Sequence, residues 1–301
     1  MNTNQLKRID QLKKEKNAII LAHNYEPPEI QDAADIIGDS LELAVKARSV
    51  TEDTIILCGV RFMAETAKVL NPTKTIILPA PDAGCPLADY LTPDMVREAR
   101  KAHPGAAVVL YVNSDTAAKA EADIVCTSAN AVEVVRSLEE TTILFGPDSN
   151  LADYVASRVP EKQIIPLPKG GHCYVHAVFT CDDVITAAED GFTTICHPEC
   201  PREVRKGADV VASTGGMVRM AKNADSWMIL TEKGIAYRLE KLFPDKEFRV
   251  REDAVCVDMK KITLDMLEHS LITGEYAVEL PADLMDRARG PIERMMALKR
   301  E

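Results

Sequence analysis

One pattern occurs three times in this chain: an apolar strand, a polar pair, a charged stretch, then Ala-Asp followed by two β-branched residues. In the first copy Ile19–Ala22 leads to His23 and Tyr25, then to Ala34, Asp35, Ile36, Ile37 and Ser40. The second runs from Val108–Leu110 through Tyr111 and Asn113 to Ala122, Asp123, Ile124, Val125 and Ser128. The third runs from Thr193–Cys196 through His197 and Glu199 to Ala208, Asp209, Val210, Val211 and Thr214. Asp35, Asp123 and Asp209 are separated by 88 and 86 residues, and so are His23, Tyr111 and His197. Chance alignment of short apolar strands would not keep both landmarks in register, so a triplicated supersecondary unit is expected.

The rest of each copy agrees. Ile55–Cys58, Ile143–Phe145 and Met228–Thr231 are strand-like, and a helical stretch and a further strand follow each, at Thr75–Leu78, Gln163–Leu167 and Phe248–Val250. Short apolar strands alternating with helices predict parallel βαβ layers. The expected fold is α/β: three three-layer αβα domains with short parallel sheets, whose junction would hold the active site if they pack around a pseudo-threefold axis. Residues 1–84 with 262–301, 85–172 and 173–261 are the expected domains. From about Thr263 the pattern turns helical, and Gly290-Pro291 reads as one helix stopping and another starting. Leu264, Leu267, Leu271, Met285, Met295, Met296 and Leu298 need burial, which predicts that this tail packs onto the first domain.

Composition narrows the function. With 36 basic and 47 acidic residues the net charge is −11, the wrong sign for a nucleic-acid or acidic-membrane surface, so an anionic ligand must be held locally. The apolar run Ala106–Val112 is far shorter than the roughly 20 residues of a membrane span, and the start through Lys16 lacks a signal-peptide apolar region, which predicts a cytoplasmic location. Eight cysteines among 301 residues are then expected as thiols that bind metal, react or simply fill space.

In α/β sheets ligands gather beyond the carboxyl ends of strands. The polar pairs fall there, as do Ser40, Ser128 and Thr214, whose hydroxyls are expected to cap helices whose free N–H groups receive anions. Ser213-Thr214-Gly215-Gly216 offers the closest backbone approach to a phosphate or carboxylate. Cys85, Cys173 and Cys256 occupy equivalent places, 88 and 83 residues apart, and would meet if the units pack around an axis. Three thiolates suit an iron–sulfur cluster, zinc or copper; the usual cubane takes four cysteines, so three would leave one metal position open to substrate as a Lewis acid. Cys58, Cys126, Cys181 and Cys196 read as buried small hydrophobes. Cys200 is open, and neither Cys196-His197-Cys200 nor Cys173 with His176 supplies four zinc ligands at a familiar spacing. His23, His176 and His197 sit by the repeated landmarks, whereas His103 and His269 read as surface residues. Tyr25, Tyr111 and Glu199 suit proton transfers in a dehydration or enolisation.

As a set these landmarks resemble the quinolinate synthase A family, from about residue 18 to 262. The resemblance is carried by Ala22-His23-Asn24-Tyr25 with Gly38-Asp39-Ser40, Gly84-Cys85-Pro86-Leu87-Ala88-Asp89, Tyr111-Val112-Asn113-Ser114 with Cys126-Thr127-Ser128-Ala129-Asn130, Cys173-Tyr174-Val175-His176, His197-Pro198-Glu199-Cys200, Ser213-Thr214-Gly215-Gly216-Met217 and Cys256-Val257-Asp258-Met259-Lys260. It implies a [4Fe-4S] cluster held by Cys85, Cys173 and Cys256 with one iron open. It also implies condensation of iminoaspartate with dihydroxyacetone phosphate to quinolinate, with release of phosphate and water, in the biosynthesis of NAD. Tyr111 and Asn113 would hold substrate carboxylates, with Ser128 beside them. Ser213 and Thr214 would bind further acidic groups, and His23, Ser40 and His176 would complete the pocket. Tyr25, His197 and Glu199 are the acid/base candidates, Glu199 first for proton abstraction. An aspartate oxidase or dehydrogenase would supply the imine. The Cys-x-x-Cys pair of some family members is absent, so no switch of that kind is expected, although Cys196 and Cys200 could pair if they face one another. Three readings compete: an electron-transfer protein with the same cluster, a sugar-phosphate or nucleotide binding module with incidental cysteines, and a thiolate-zinc hydrolase.

Overall fold

The computed structural model describes residues 3–298. The expected domain ends at residues 1–2 and 299–301 lie outside the described residues. The first sheet holds β1 (Ala18–His23), β2 (Ile36–Gly38), β3 (Thr54–Cys58) and β4 (Thr75–Ile77). The second holds β5 (Ala107–Tyr111), β6 (Ile124–Cys126), β7 (Thr142–Gly146) and β8 (Gln163–Pro166). The third holds β9 (Thr193–Cys196), β10 (Val210–Val211), β11 (Ser226–Leu230) and β12 (Glu247–Val250). Every pairing between these strands is parallel, and helices supply the crossovers, so the α/β class with three αβα layers is observed. The central strands read as continuous apolar runs because helices cover both of their faces; all of β5 is buried.

All three sheets share one strand order, β2-β1-β3-β4, β6-β5-β7-β8 and β10-β9-β11-β12. The chain leaves the first strand of each unit toward one edge and returns on its other side. That reversal opens a crevice at the carboxyl ends of β1 and β3 and of their counterparts. Each polar pair lies there: His23 ends β1, Tyr111 ends β5 and His197 follows β9.

The repeated Ala-Asp step has a structural cause. Asp35, Asp123 and Asp209 each accept the backbone N–H of a residue in the unit's first strand, Ile20, Val108 and Thr194, at 2.9, 2.7 and 2.8 Å. A buried strand N–H with no ladder partner is costly. The carboxylate satisfies it and sets where the second strand begins.

The tail corrects two expectations. Ala282–Ala297 is a single helix with Pro291 inside it, not two helices meeting at Gly290-Pro291. Its buried stripe, Ala288, Pro291, Ile292 and Met295, recurs at helical spacing. Packing that stripe outweighs the roughly 3 kcal/mol that an interior proline costs. The second correction concerns where the tail docks. Leu264–Thr273 packs on the first helix, Thr3–Glu15, but Ala282–Ala297 lies against β6 and the helix Thr116–Lys119 as well as the helix Arg61–Leu70. It therefore spans the first and second units. Among the described residues no helix is long and apolar enough to cross a membrane.

Candidate active site

The same backbone bond positions each of the three cysteines. The residue three places beyond β3, β7 or β11 donates its N–H to the carbonyl two residues before the cysteine: Arg61 to Ala83 (2.9 Å), Ser149 to Gly171 (2.7 Å) and Lys233 to Ala254 (2.9 Å). A single helical turn then follows each cysteine, at Pro86–Asp89, His176–Val178 and Asp258–Lys260. These turns aim the N–H groups of Ala88, His176 and Met259 at the sulfurs of Cys85, Cys173 and Cys256. Carboxylates hold the same segments from behind. Asp148 Oδ2 accepts the N–H of Cys173 at 3.2 Å, Glu232 Oε1 accepts that of Cys256 at 3.3 Å, and Asp258 Oδ1 accepts that of Gly84 at 3.1 Å.

Cys85, Cys173 and Cys256 line one cavity. Its walls also include His23, Tyr25, Ser40, Tyr111, Asn113, Ser128, His176, His197, Glu199 and Thr214. Residues far apart in sequence, from all three repeats, thus meet at one place. Ser213 lies apart from these walls. It caps the helix Thr214–Met220 by accepting the Gly216 N–H at 3.2 Å, and its hydroxyl donates to Asp39 Oδ2 at 3.4 Å. Gly215 makes that approach of the third unit to the first feasible, because a Cβ there would stand 2.5 Å from Asp39 Oδ2.

The capping expectation also needs correction. Ser40 does not cap its helix; Asp39 does, in a capping box with Glu42, and Asn130 rather than Ser128 stands at the start of the helix Ala131–Ser137. Thr214 follows the cap Ser213. For Ser40 a carboxylate one residue away has taken the capping task, and Asn130, whose side chain makes no cap bond, stands at the helix start in place of Ser128, so both hydroxyls face the cavity.

The two histidine pairs are built alike. The N–H of Tyr25 donates to His23 Nδ1 at 3.2 Å and that of Glu199 donates to His197 Nδ1 at 3.3 Å. Each Nδ1 is thereby an acceptor, so Nε2 carries the proton in the neutral ring, and His197 Nε2 accordingly donates to Ser128 Oγ at 3.1 Å. Burial pushes His23 down to about 3, helped by Lys260 and Arg238 and opposed by Glu199; burial and then His176 bring His197 to about 3 as well. Both rings are neutral at neutral pH.

A hydrogen-bonded chain crosses the cavity. Tyr25 Oη and Thr231 Oγ1 are 2.5 Å apart, Thr231 Oγ1 and His176 Nε2 2.8 Å, and His176 Nδ1 and Glu199 Oε2 3.1 Å. Tyr111 Oη donates to Glu199 Oε1 at 2.5 Å, and the rings of His176 and His197 stack with centroids 4.5 Å apart. Burial alone would raise the Glu199 carboxyl, but His176 and His197, with hydrogen bonds from His176 and Tyr111, hold it below the ordinary carboxylate range. Burial keeps the phenols of Tyr25 and Tyr111 neutral. The site therefore contains a retained base and retained acids in one network, the condition for proton transfer in both directions. Asn113 adds a buried Oδ1 with no partner at the cavity wall. A buried amide oxygen left unpaired is costly, which suits a ligand that supplies the missing donor.

The thiols test whether a metal centre fits. Burial pushes Cys85 up to about 12 and raises Cys173 and Cys256, and each of Cys85 and Cys173 is raised further by neighbouring cysteines. Three desolvated thiols facing one cavity ionise together only beside compensating positive charge, which a metal centre supplies. The donor set and its source, one thiol per repeat, fit such a centre. Cys173 Sγ, a His176 nitrogen and a Glu199 oxygen also lie within 4.8 Å of one another, so the substrate side of the cavity is itself rich in ligand atoms.

Of the other cysteines, Cys58, Cys126, Cys196 and Cys200 are buried, as expected for space-filling thiols in the first three. Cys181 is exposed at the start of the helix Cys181–Glu189, against its reading as a buried hydrophobe, because the polar Thr180-Cys181-Asp182-Asp183 segment makes a capping turn. Cys200 and Cys196 are hydrogen-bonded neighbours as free thiols. His103 and His269 are exposed. Sequence reading missed Thr231, Asp148 and Glu232. A signal existed for the last two: each stands two residues beyond its unit's third strand, and their separation of 84 nearly equals the 83 between Cys173 and Cys256.

Three tandem αβα units whose loops bring three thiols and an acid/base network into one cavity define a class: an enzyme acting on small molecules, with a site able to hold a metal. The comparisons with known proteins narrow it. Residues 7–297 match the family described as Quinolinate synthetase A protein, and the chain belongs to that family. It is 51% identical over 296 residues to the quinolinate synthase of Thermococcus kodakarensis, covering 97% of this chain and 98% of that protein. The quinolinate synthase of Pyrococcus furiosus is 52% identical over 295 residues, 97% of each chain. That of Thermotoga maritima is 49% identical over 294 residues, 96% of this chain and 98% of the relative.

Proposed function

We propose that this protein is a quinolinate synthase: it condenses iminoaspartate with dihydroxyacetone phosphate to quinolinate, releasing phosphate and water, and supplies the pyridine ring of NAD. The single observation that carries this reading is the convergence of Cys85, Cys173 and Cys256, one per repeat, on the cavity that also holds the Tyr25-Thr231-His176-Glu199-Tyr111 chain. Family membership and relatives named quinolinate synthase across nearly the whole chain support it.

Cys85, Cys173 and Cys256 would hold a [4Fe-4S] cluster, which supplies Lewis acidity to a substrate oxygen at its open iron. The chain's own residues do the rest. Asn113 and Tyr111 orient an acidic substrate, with Ser128 held beside them by His197 Nε2. Ser40 and Thr214 bound the far wall, and Ser213 acts through its helix cap and Asp39. Glu199, held ionised, removes a proton from substrate carbon. Tyr25, held neutral, gives a proton to a departing hydroxyl and recovers it through Thr231 and His176. Tyr25, His176, His197 and Glu199 are themselves buried, which limits water around the reacting groups, as an imine substrate requires. The eight cysteines are free thiols, in keeping with a reducing, cytoplasmic setting. An oxidase or dehydrogenase acting on aspartate would supply the imine.

The test is anaerobic purification and reconstitution, elemental analysis and an assay for quinolinate. About four iron and four sulfide per chain with quinolinate formed is the expected result. One zinc without sulfide, or full activity without iron, would overturn the reading.

A further inference from the structure

A second cleft lies between the second and third units and shares no residue with the central cavity. It runs between the helix Ser149–Arg158 and the helix Arg202–Gly207. Although the chain carries a net charge of −11, four cations gather here, Arg158, Arg202, Arg205 and Lys206, against one carboxylate, Asp153. Arg205 is buried and fixed: its Nε donates to the Cys200 carbonyl at 2.9 Å, and Nη2 donates to Asp153 Oδ2 at 2.6 Å. Arg202 grips the same carboxylate at 2.9 and 2.7 Å. The Tyr154 ring forms the floor, with the guanidinium of Arg158 5.3 Å and that of Arg205 5.7 Å from its centroid. A tie between two units explains Arg202, Arg205 and Asp153. It does not explain Arg158 and Lys206, which among the described residues have no carboxylate within ion-pair distance.

We propose that this cleft is a second anion site, which binds a small phosphate-bearing ligand between Arg158 of one unit and Arg202 and Lys206 of the next. Guanidinium forks match tetrahedral phosphate oxygens in pairs, and a lysine adds a point charge. Cations crowded around a single carboxylate repel one another until such an anion arrives.

Calorimetric titration of the intact cluster-loaded enzyme with pyrophosphate, inorganic phosphate, adenosine monophosphate and sulfate, each at about 0.1 M salt, tests this. Saturable binding of a phosphate compound is expected, weakened about tenfold or more in the Arg158→Ala/Lys206→Ala double variant. Tightest binding of pyrophosphate assigns the ligand as a diphosphate, of adenosine monophosphate as a phosphate ester, and of inorganic phosphate as the free ion. If the double variant melts below the parent, Lys206→Gln alone carries the comparison, with a loss of several-fold expected. No saturable heat, undiminished binding in the variants, or sulfate binding as tightly as every phosphate compound would overturn the proposal; undiminished binding would place the anion in the central cavity instead.

Discussion

Thr231 Oγ1 lies 2.8 Å from His176 Nε2 and bridges that ring to the phenol of Tyr25. Thr231→Val keeps the shape of this buried side chain and removes only the oxygen, leaving two polar atoms unpaired at a cost of about 1–3 kcal/mol. We expect a variant that folds and retains iron but turns over about a hundredfold more slowly, with Thr231→Ser restoring most of the rate. Equal rates for Val and Ser would show that the hydroxyl passes no proton.

Glu199 is the only carboxylate in the Tyr25-to-Tyr111 chain, and its neighbours keep it ionised at neutral pH. In Glu199→Gln the amide still accepts from Tyr111 and still packs against His176, so iron content and melting behaviour should match the parent. Turnover should fall by about 10² to 10⁴. Because the folded carboxyl is depressed, the parent's activity should persist well below pH 6 where the fold survives. A rate that already falls through the ordinary carboxylate range would contradict the assignment.

Cys85 stands at the cavity wall and Cys58 is buried in the core. Cys85→Ala should abolish iron retention and quinolinate formation together, whereas Cys58→Ala should spare both and cost only packing. Asp148→Ala provides an intermediate case: it removes the cap of the helix Ser149–Arg158 and orphans the Cys173 N–H, so about 1–2 kcal/mol of stability should be lost along with firm iron retention. Iron content of the three variants, measured side by side, decides the ligand map.

The triplication was legible because its landmarks do physical work at equivalent places. Asp35, Asp123 and Asp209 each satisfy a strand N–H, so the Ala-Asp step recurs wherever a second strand starts. The polar pairs were visible because topology delivers the residue after each first strand to the sheet's switch point. Thr231 was hidden for the opposite reason. It is one threonine at the end of a strand, indistinguishable by type or spacing from a β-former, and it acquires a role only when strands from distant parts of the chain set Tyr25 and His176 on either side. Pro291 misled because a local breaker rule was opposed by a buried stripe whose partner surfaces, β6 and the helix Thr116–Lys119, lie more than 150 residues away in sequence.

That last helix pair also buries a charge. Lys119 is fully enclosed; its Nζ donates to Thr66 Oγ1 at 3.0 Å and to the Phe62 carbonyl at 3.4 Å, and it lies 5.3 Å from the Phe62 ring. No carboxylate is among those contacts, and burial pushes the amine down to about 8, with Glu65 and Asp115 opposing. Below pH 8 both folded and unfolded chains hold the proton, and the fold bears the full cost of enclosing an ammonium. Between pH 8 and 10.5 only the unfolded chain holds it, so stability rises with pH by about 3 kcal/mol from this group. Denaturant titrations of the parent and Lys119→Met across that window should show the parent gaining on the variant by about that amount, since other titrating groups cancel in the difference. A parent-to-variant gap that stays constant with pH would mean that Lys119 titrates at its ordinary value and that its enclosure by Phe62 and Thr66 carries no electrostatic cost.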